Sequence, residues 1–591
     1  MRPNRRAQPL AADTGWLVIG GVLAVAMFVG VLGWLAALTN PGVDELGRRD
    51  PFTVLAAVLT GKLSPAPLQV VIFLLGLIVL GVAAAAIATL ALRRRSSGSR
   101  VDHKAASMGQ IRELDEMTQK KVAEDTARLG AEGAADGVPL GRHVPSGKFL
   151  FGTWEWVQIW LMGPRAGKTS CVCVPQILET QGPVFATSNK RDIVDLTRGP
   201  RSEIGRVWIH DVQDIIGAEP TWWWNPLSFV TNFERAEKLV DVFVSAAQEA
   251  DAKEDAYFGP AGRETLARLF LTAAVTGRPI TDVYLWAMDP SGRDPEIGDP
   301  SVLLVEDDYT QAQGLSKTQT LTEKQRDGVY GTVRTFIGVL ANKKVLPWIT
   351  DTDGRPHFDP YDFVKSTDTV YAISREGGGS ARAITAALTM AVLTAAEEVG
   401  SRMRGGRLAT PLMAVLDEAA NVCRWRDLPD VYSHYGSRGI IVSTFFQSWQ
   451  QGVEAFGING MDKLWGAANI RASGSGLADD KFLPHLSQLI GDHDVVHRTS
   501  TQQHGGRSTT TSISRERIFD VSELAAMPRG RAVMIPATQP ATLFALEHWS
   551  AKPYGEKVAA SRDYYEAQAV QTGHLEETSN CLLYTSPSPR D

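Results

Sequence analysis

The segment that most constrains this chain is WVQIWLMGPRAGKTSCVCVPQIL, residues 156–178. It reads as an apolar strand, a glycine-rich turn and a helix. That order brings free backbone N–H groups and a helix N-terminus to one point, which is what a chain of phosphates requires. Gly167 permits the tight turn, Lys168 has the reach and charge for β- and γ-phosphates, and the Thr169 hydroxyl suits Mg2+. Gly163, Pro164, Arg165, Ala166 and Ser170 complete the expected cradle, so ATP and Mg2+ are the expected cofactors. The spacing departs from the general pattern, in which four residues separate the two glycines. Here only Pro164, Arg165 and Ala166 stand between Gly163 and Gly167, and Met162 occupies the position of the usual first glycine.

A second motif lies far downstream. PLMAVLDEAAN (411–421) is an apolar strand ending in Asp417 and Glu418. An Asp at such a strand end holds Mg2+ through water, and an adjacent Glu orients and deprotonates the attacking water. Together with the glycine-rich loop, this predicts an ATP hydrolase. The next strand, in YSHYGSRGIIVSTFFQSWQQ (432–451), ends at Gln447. An amide there can sense the γ-phosphate; the alternative is a plain surface glutamine. Arg438 precedes that strand and is either an arginine finger acting on a neighbour's ATP or a structural arginine.

The remaining pattern supplies the surroundings. Apolar runs at 156–162, 183–188, 206–211, 369–374, 411–418, 439–445 and 531–536 alternate with helical spacing, which predicts a parallel α/β sheet. The reading divides the chain into a nucleotide-binding domain (148–229 and 346–552), an all-α insertion (230–345), a linker or stalk (96–147) and a C-terminal tail (553–591). Within that tail, about 578–591 breaks with the composition before it and reads as non-native. Trp16–Leu38 and Leu68–Leu92 contain no charged residue and are long enough to cross a bilayer, so residues 1–95 read as a membrane anchor with two transmembrane helices. Arg2, Arg5 and Arg6 precede the first run, and Arg93, Arg94 and Arg95 follow the second. These flanks predict a multi-pass protein of the cell membrane with both termini and the ATPase domain in the cytoplasm. The formal net charge of −6 excludes a uniformly basic nucleic-acid binder. The four cysteines lack zinc-site spacing.

Several segments together resemble a known family: GPRAGKTS, ATSNKRDIVDLTR (186–198), WNPL (224–227), LDEAANVCRWRDLPDVYSHYGSRGIIVSTFFQSWQQG (416–452) and LAAMPRGRAVMI (524–535). They are similar to the type IV secretion system coupling proteins, the TraG/TraD-like ATPases of conjugative DNA transfer, in an actinobacterial style. The resemblance implies a RecA-like P-loop NTPase domain with an all-α insertion behind two transmembrane helices. It also implies assembly as a homo-hexamer at the membrane. The implied partners are single-stranded DNA with its relaxase and the components of a type IV secretion channel. Two other readings are an FtsK-type DNA translocase and a docking scaffold that barely hydrolyses ATP. Lys463, Arg471, Arg498, Arg507, Arg515 and Arg517 are candidate DNA contacts, with an exposed polar hairpin as the plainer reading of 498–515. Trp222, Trp223 and Trp224 read as packing rather than base stacking.

Overall fold

A computed structural model describes residues 98–575 apart from 132, 249–254, 292–293, 376–380, 423–424 and 504–505; it also describes Asp50–Ser64 and scattered positions between 31 and 78. The chain divides into two compact units, Met1–Asp102 with His493–Glu516, and His103–Asp492 with Arg517–Asp591.

The strands are β1 (Val138–His143), β2 (Phe149–Gly152), β3 (Gln158–Leu161), β4 (Val184–Ser188), β5 (Val207–His210), β6 (Thr369–Ile373), β7 (Leu412–Leu416), β8 (Ile440–Phe446), β9 (Ile470–Ser473), β10 (Asp492–Gln503), β11 (Gly506–Arg517), β12 (Arg531–Pro536) and β13 (Thr542–Ala545). Eleven of them form one sheet in the order β2-β1-β13-β12-β9-β3-β8-β7-β4-β6-β5. From β9 to β5 the neighbours run parallel. From β9 outward to β2 they run antiparallel. Every residue of β3, β4, β6, β7 and β8 is buried. That is why these strands read as continuous apolar runs: helices cover both faces of a parallel sheet, so neither face can be polar.

The helices that matter here are α1 (Thr169–Leu178), α2 (Asp192–Ser202), α3 (Phe233–Ala247), α4 (Phe258–Val275), α5 (Ile280–Met288), α6 (Tyr309–Gln319), α7 (Glu323–Ile337), α8 (Ala381–Arg402), α9 (Leu428–Tyr435), α10 (Trp449–Ala467) and α11 (Gly555–Gln571). Helices α3 to α7 occupy the segment read as an insertion, and its described residues contain no strand. Arg235 on α3 ties this segment to the core by pairing with Glu398 on α8, whose carboxylate also accepts from the Tyr361 hydroxyl at 2.9 Å. Helix α8 has the length and apolarity of a membrane span, but 83% of its apolar window is buried inside the protein, which makes it a core helix.

Two boundaries need correction. The stalk read at 96–147 contains β1, which pairs with both β2 and β13 in the main sheet. Its Gly- and Pro-containing sequence hid the strand. The tail read from 553 begins with α11, which packs on α2; the Ser561 hydroxyl donates to the Asp195 carbonyl at 2.7 Å. The tryptophans behave as packing residues. Trp222 and Trp224 are fully buried, and Trp222 meets Trp208, His210, Trp348 and Phe358.

In the other unit, Asp50 caps the helix Pro51–Leu59 by accepting from the Thr53 N–H at 3.0 Å. Strands β10 and β11 form a separate two-stranded ribbon. The expected spans 16–38 and 68–92, and the segment 578–591, lie outside the described residues except at isolated positions. Among those positions, Val31, Leu35, Val70, Val71, Leu74, Leu75 and Ile78 are helical and exposed.

Arg201, at the end of α2, is wholly buried and has no carboxylate partner among the described residues. Its guanidinium donates to Thr369 Oγ1 (2.6 Å) and to the carbonyls of Thr180 (2.6 Å), Gly182 (3.0 Å) and Thr367 (2.9 Å). One planar fork thus joins α2 to the segment that precedes β4 and to the start of β6. Arg201→Met should destabilise the fold by about 3 kcal/mol, because three buried carbonyls lose their donor at once. Denaturant unfolding followed by tryptophan fluorescence would show the loss; an unchanged midpoint would remove Arg201 from this role.

Candidate nucleotide site

Strand register places the site. Gln158 of β3 stands opposite Ser443 of β8 and Ile470 of β9, while Leu412 of β7 stands opposite Ile440 of β8. The C-terminal ends of β3, β7 and β8 therefore lie along one edge. That is where open parallel sheets receive ligands.

The loop leaving β3 is held by its backbone. Met162 N–H donates to the Phe446 carbonyl at 2.9 Å, and Gly163 N–H donates to the Ser475 carbonyl at 3.0 Å. A Cβ on Gly163 would lie 2.1 Å from the Gly476 oxygen, so no other residue fits there without moving the loop. Arg165 and Gly167 both take positive φ, 59° and 91°, and complete the turn. Pro164 and Arg165 are exposed, and Ala166 is buried. Residues Thr169–Cys173 then form a π turn before α1 continues as an α-helix. Such turns concentrate at functional sites. Burial pushes the Cys171 thiol up to about 11, so it is not a ready nucleophile.

Lys168 leaves this turn and meets the acidic motif. Its ammonium lies 2.8 Å from Asp417 Oδ1 and 2.5 Å from Glu418 Oε1, and its side chain is 11% exposed. Burial works against the ammonium, but the two carboxylates outweigh it and raise its pKa. Burial raises Asp417 to about 6 despite Lys168. Burial pushes Glu418 the same way, yet Lys168, Gln447 and Gln451 together bring it below the usual range. The Thr187 hydroxyl donates to the Asp417 carbonyl at 3.0 Å and fixes the strand end. Glu418 itself has φ 53°, a left-handed conformation that is rare for a side chain of this size.

Gln447, at the end of β8, donates from Nε2 to Glu418 Oε1 at 2.8 Å. The structure thus brings Lys168, Asp417, Glu418 and Gln447 together, with half-buried Thr169 and Ser170 on the adjoining turn. It does not bring Arg438 there. Arg438 precedes β8 and donates to the Gly406 carbonyl at 3.0 Å, so the whole length of β8 separates it from Gln447. Nor does the structure gather at this cluster the DNA candidates of the same unit, Lys463, Arg471 and Arg517. Lys463 pairs with Asp430, and Arg471 donates to the Trp465 carbonyl at 2.7 Å. Arg517 pairs with Asp492 at 3.0 Å, Arg515 lies on β11, and the side chains of Arg498 and Arg507 lie outside the described residues.

Sequence reading missed Gln451, whose Oε1 accepts from the Gln447 N–H at 2.8 Å. The available signal was Ser448-x-x-Gln451, a helix-start pattern.

The residues present fit Mg2+ and a nucleotide. Glu418 Oε2 is a buried acceptor with no donor, and Asp417 Oδ1, although beside Lys168, lies outside hydrogen-bond direction. Among the described residues no three His, Cys, Asp or Glu side chains form a metal cage. Mg2+ at nucleotide sites needs none, since it is held by one or two protein oxygens, phosphates and water.

Residues 411–529 match the family model for the TraM recognition site of TraD and TraG. No curated protein matches the chain. Among solved structures, the bacterial conjugative coupling protein TrwBdeltaN70, in an unbound monoclinic form, is similar with a TM-score of 0.50 and 15% identity, over 71% of this chain and 91% of that one. The plasmid coupling protein TrwB with the ATP analogue ADPNP gives 0.45 and 15%, over 66% and 85%. TrwB with ADP and Mg2+ gives 0.41 and 13%, over 63% and 87%. By the sequence of 411–529 and by its RecA-like α/β fold, the chain resembles the type IV coupling proteins.

Gly163→Ala should weaken nucleotide binding at least tenfold, roughly the cost of misplacing one set of loop contacts by an ångström, and leave the fold intact. Titration with a fluorescent ATP analogue, beside a circular-dichroism control, checks this; unaltered affinity would mean the loop tolerates the added methyl.

Proposed function

We propose that this chain is a membrane-anchored ATPase that couples relaxase-bound DNA to a type IV secretion channel and drives single-stranded DNA transfer. The observation that carries this reading is Lys168 held between Asp417 and Glu418 at the end of the parallel sheet, within a chain whose 411–529 segment matches the TraD and TraG family model.

The residues divide the work of ATP hydrolysis. Lys168 gives up its carboxylate contacts and neutralises charge that grows on the β- and γ-phosphates. Thr169 and, through water, Asp417 would hold Mg2+, which supplies further neutralisation of the phosphates when bound. Glu418 accepts the proton of the water whose oxygen attacks the γ-phosphorus as the bond to ADP breaks. Gln447 already touches Glu418 and reports the change at the γ-phosphate to the rest of β8. The uncharged runs 16–38 and 68–92 support the anchor. A hexamer would share few DNA contacts per subunit, in keeping with a net charge of −6.

Lys168→Ala should abolish turnover. Glu418→Gln should lower kcat by roughly 10²- to 10⁴-fold while ATP still binds. DNA-stimulated ATPase assays and equilibrium nucleotide binding test both, and loss of binding in Glu418→Gln with an intact fold would reassign the two acids. A wild-type protein without DNA-stimulated turnover would favour the docking scaffold.

The proposed role of Arg438 as a finger has only a trans route, because it lies at the far end of β8 from its own Gln447. Mixed rings of Arg438→Ala and Lys168→Ala subunits should then recover part of the activity absent in each alone. Co-assembled rings, verified by mass, that stay inactive would make Arg438 structural.

A further inference from the structure

We propose that Gly476, in the turn 474–476 that leaves β9, is a positioning residue for nucleotide binding: this turn sets where Gly163 begins the phosphate loop and so where Lys168 meets a phosphate. The proposal rests on the reading of residues 163–170 as a nucleotide site.

The ladder between β3 and β9 does not stop where the strands do. Its last strand pair is Leu161 opposite Ser473. Beyond it, the Gly474 N–H donates to the Leu161 carbonyl at 2.9 Å, and the Gly163 N–H donates to the Ser475 carbonyl at 3.0 Å. Two further rungs thus carry the parallel pairing into the phosphate loop. On the opposite flank the Met162 N–H donates to the Phe446 carbonyl at 2.9 Å, at the end of β8. The start of the loop is therefore gripped by backbone from both neighbouring strands. Past Gly163 this grip ends. Pro164 has no N–H, and Pro164 and Arg165 are exposed. The Ala166 N–H turns back to the Gly163 carbonyl at 3.3 Å, so it follows Gly163 wherever that residue lies.

The two backbones also touch. A Cβ on Gly163 would lie 2.1 Å from the Gly476 oxygen, and a Cβ on Gly476 would lie 3.2 Å from Gly163 Cα and 3.5 Å from its carbonyl carbon. A Cβ on Gly474 would lie 2.9 Å from Met162 Cγ. Gly476 also has φ 79°. Met162, which stands where the usual pattern has its first glycine, is fully buried beneath Gly474. The loop from Gly163 to Gly167 is one residue shorter than that pattern. It has less slack with which to absorb a misplaced start, so a shift at Gly163 passes on to Lys168.

Gly476→Asn separates positioning from folding. Asn accepts a left-handed backbone more readily than other side chains, and Gly476 is exposed, which leaves room for the amide. Its Cβ nevertheless presses on the Gly163 backbone, which can yield only by moving the loop. In the full-length protein the melting temperature should stay near wild type. Affinity for ATP and ADP, measured by competition with a fluorescent ATP analogue, should fall roughly tenfold, less than the loss of about 10²-fold that a misplacement of about 1 Å brings. Gly530→Asn is the control, because Gly530 has φ 75° and a Cβ there would meet nothing within 4 Å; it should alter neither quantity. In a Gly163→Ala background, Gly476→Asn should weaken ATP by no more than about threefold further, since both substitutions part the same two backbones. Unchanged ATP affinity in folded Gly476→Asn, an equal loss in Gly530→Asn, or the full tenfold loss repeated in the Gly163→Ala background would each overturn the proposal. If Gly476→Asn does not fold, Gly474→Ala takes its place. Its Cβ meets only the flexible Met162 side chain, so the fold survives while the displaced turn weakens ATP severalfold; unaltered affinity there would also overturn the proposal. A wild-type protein that binds neither ATP nor ADP would remove the nucleotide-site reading itself, a result distinguishable from an unaffected variant.

Discussion

Asp417 and Glu418 are adjacent carboxylates at the buried end of a strand, and such a pair is costly to ionise unless a cation stands between them. Lys168 is that cation. The glycine-rich loop must end where it does, β3 must lie beside β8, and β7 must lie on β8's other flank for the three side chains to meet. Removing the lysine would strip charge from the phosphate site and leave two acids facing each other in a poor solvent for charge. On the proposed function, binding, catalysis and local stability are joined at one ammonium.

On the proposed function, the same ion pair shapes how nucleotide enters. In the described conformation the lysine is occupied by the two carboxylates proposed as metal support and base. On that reading, an incoming phosphate chain draws the lysine from the two carboxylates, and an accompanying Mg2+ would restore a cation beside them.

How much of this was legible in the sequence depends on how each feature is built. β3, β4, β6, β7 and β8 are buried on both faces, so their residues form unbroken apolar runs. β1, β2, β9 and β13 are short or glycine-containing and belong to the antiparallel side or its junction; their signal was too brief to stand out. Lys168, Asp417, Glu418 and Gln447 could be expected close together because the first follows the glycine-rich loop after β3 and the others directly follow β7 and β8. Gln451 could not be placed, since its bond to the Gln447 N–H comes from how the chain turns from β8 into α10. Arg438 shows the converse limit. Closeness to a strand in sequence does not say which end of that strand faces the chemistry, and the structure puts it at the end remote from its own nucleotide cluster.

The backbone of Glu418 has its own meaning. A residue with a Cβ held at φ 53° costs about 1–3 kcal/mol relative to a relaxed conformation. Glycine would occupy the position without that penalty and is the residue that folding alone would favour. A carboxylate stands there instead, so the chain forgoes local stability to point an acid in a direction that ordinary backbone geometry does not supply. With Glu418 as the proposed base, durability and turnover would pull in opposite directions at this position, and selection for a tougher protein would erode activity there first.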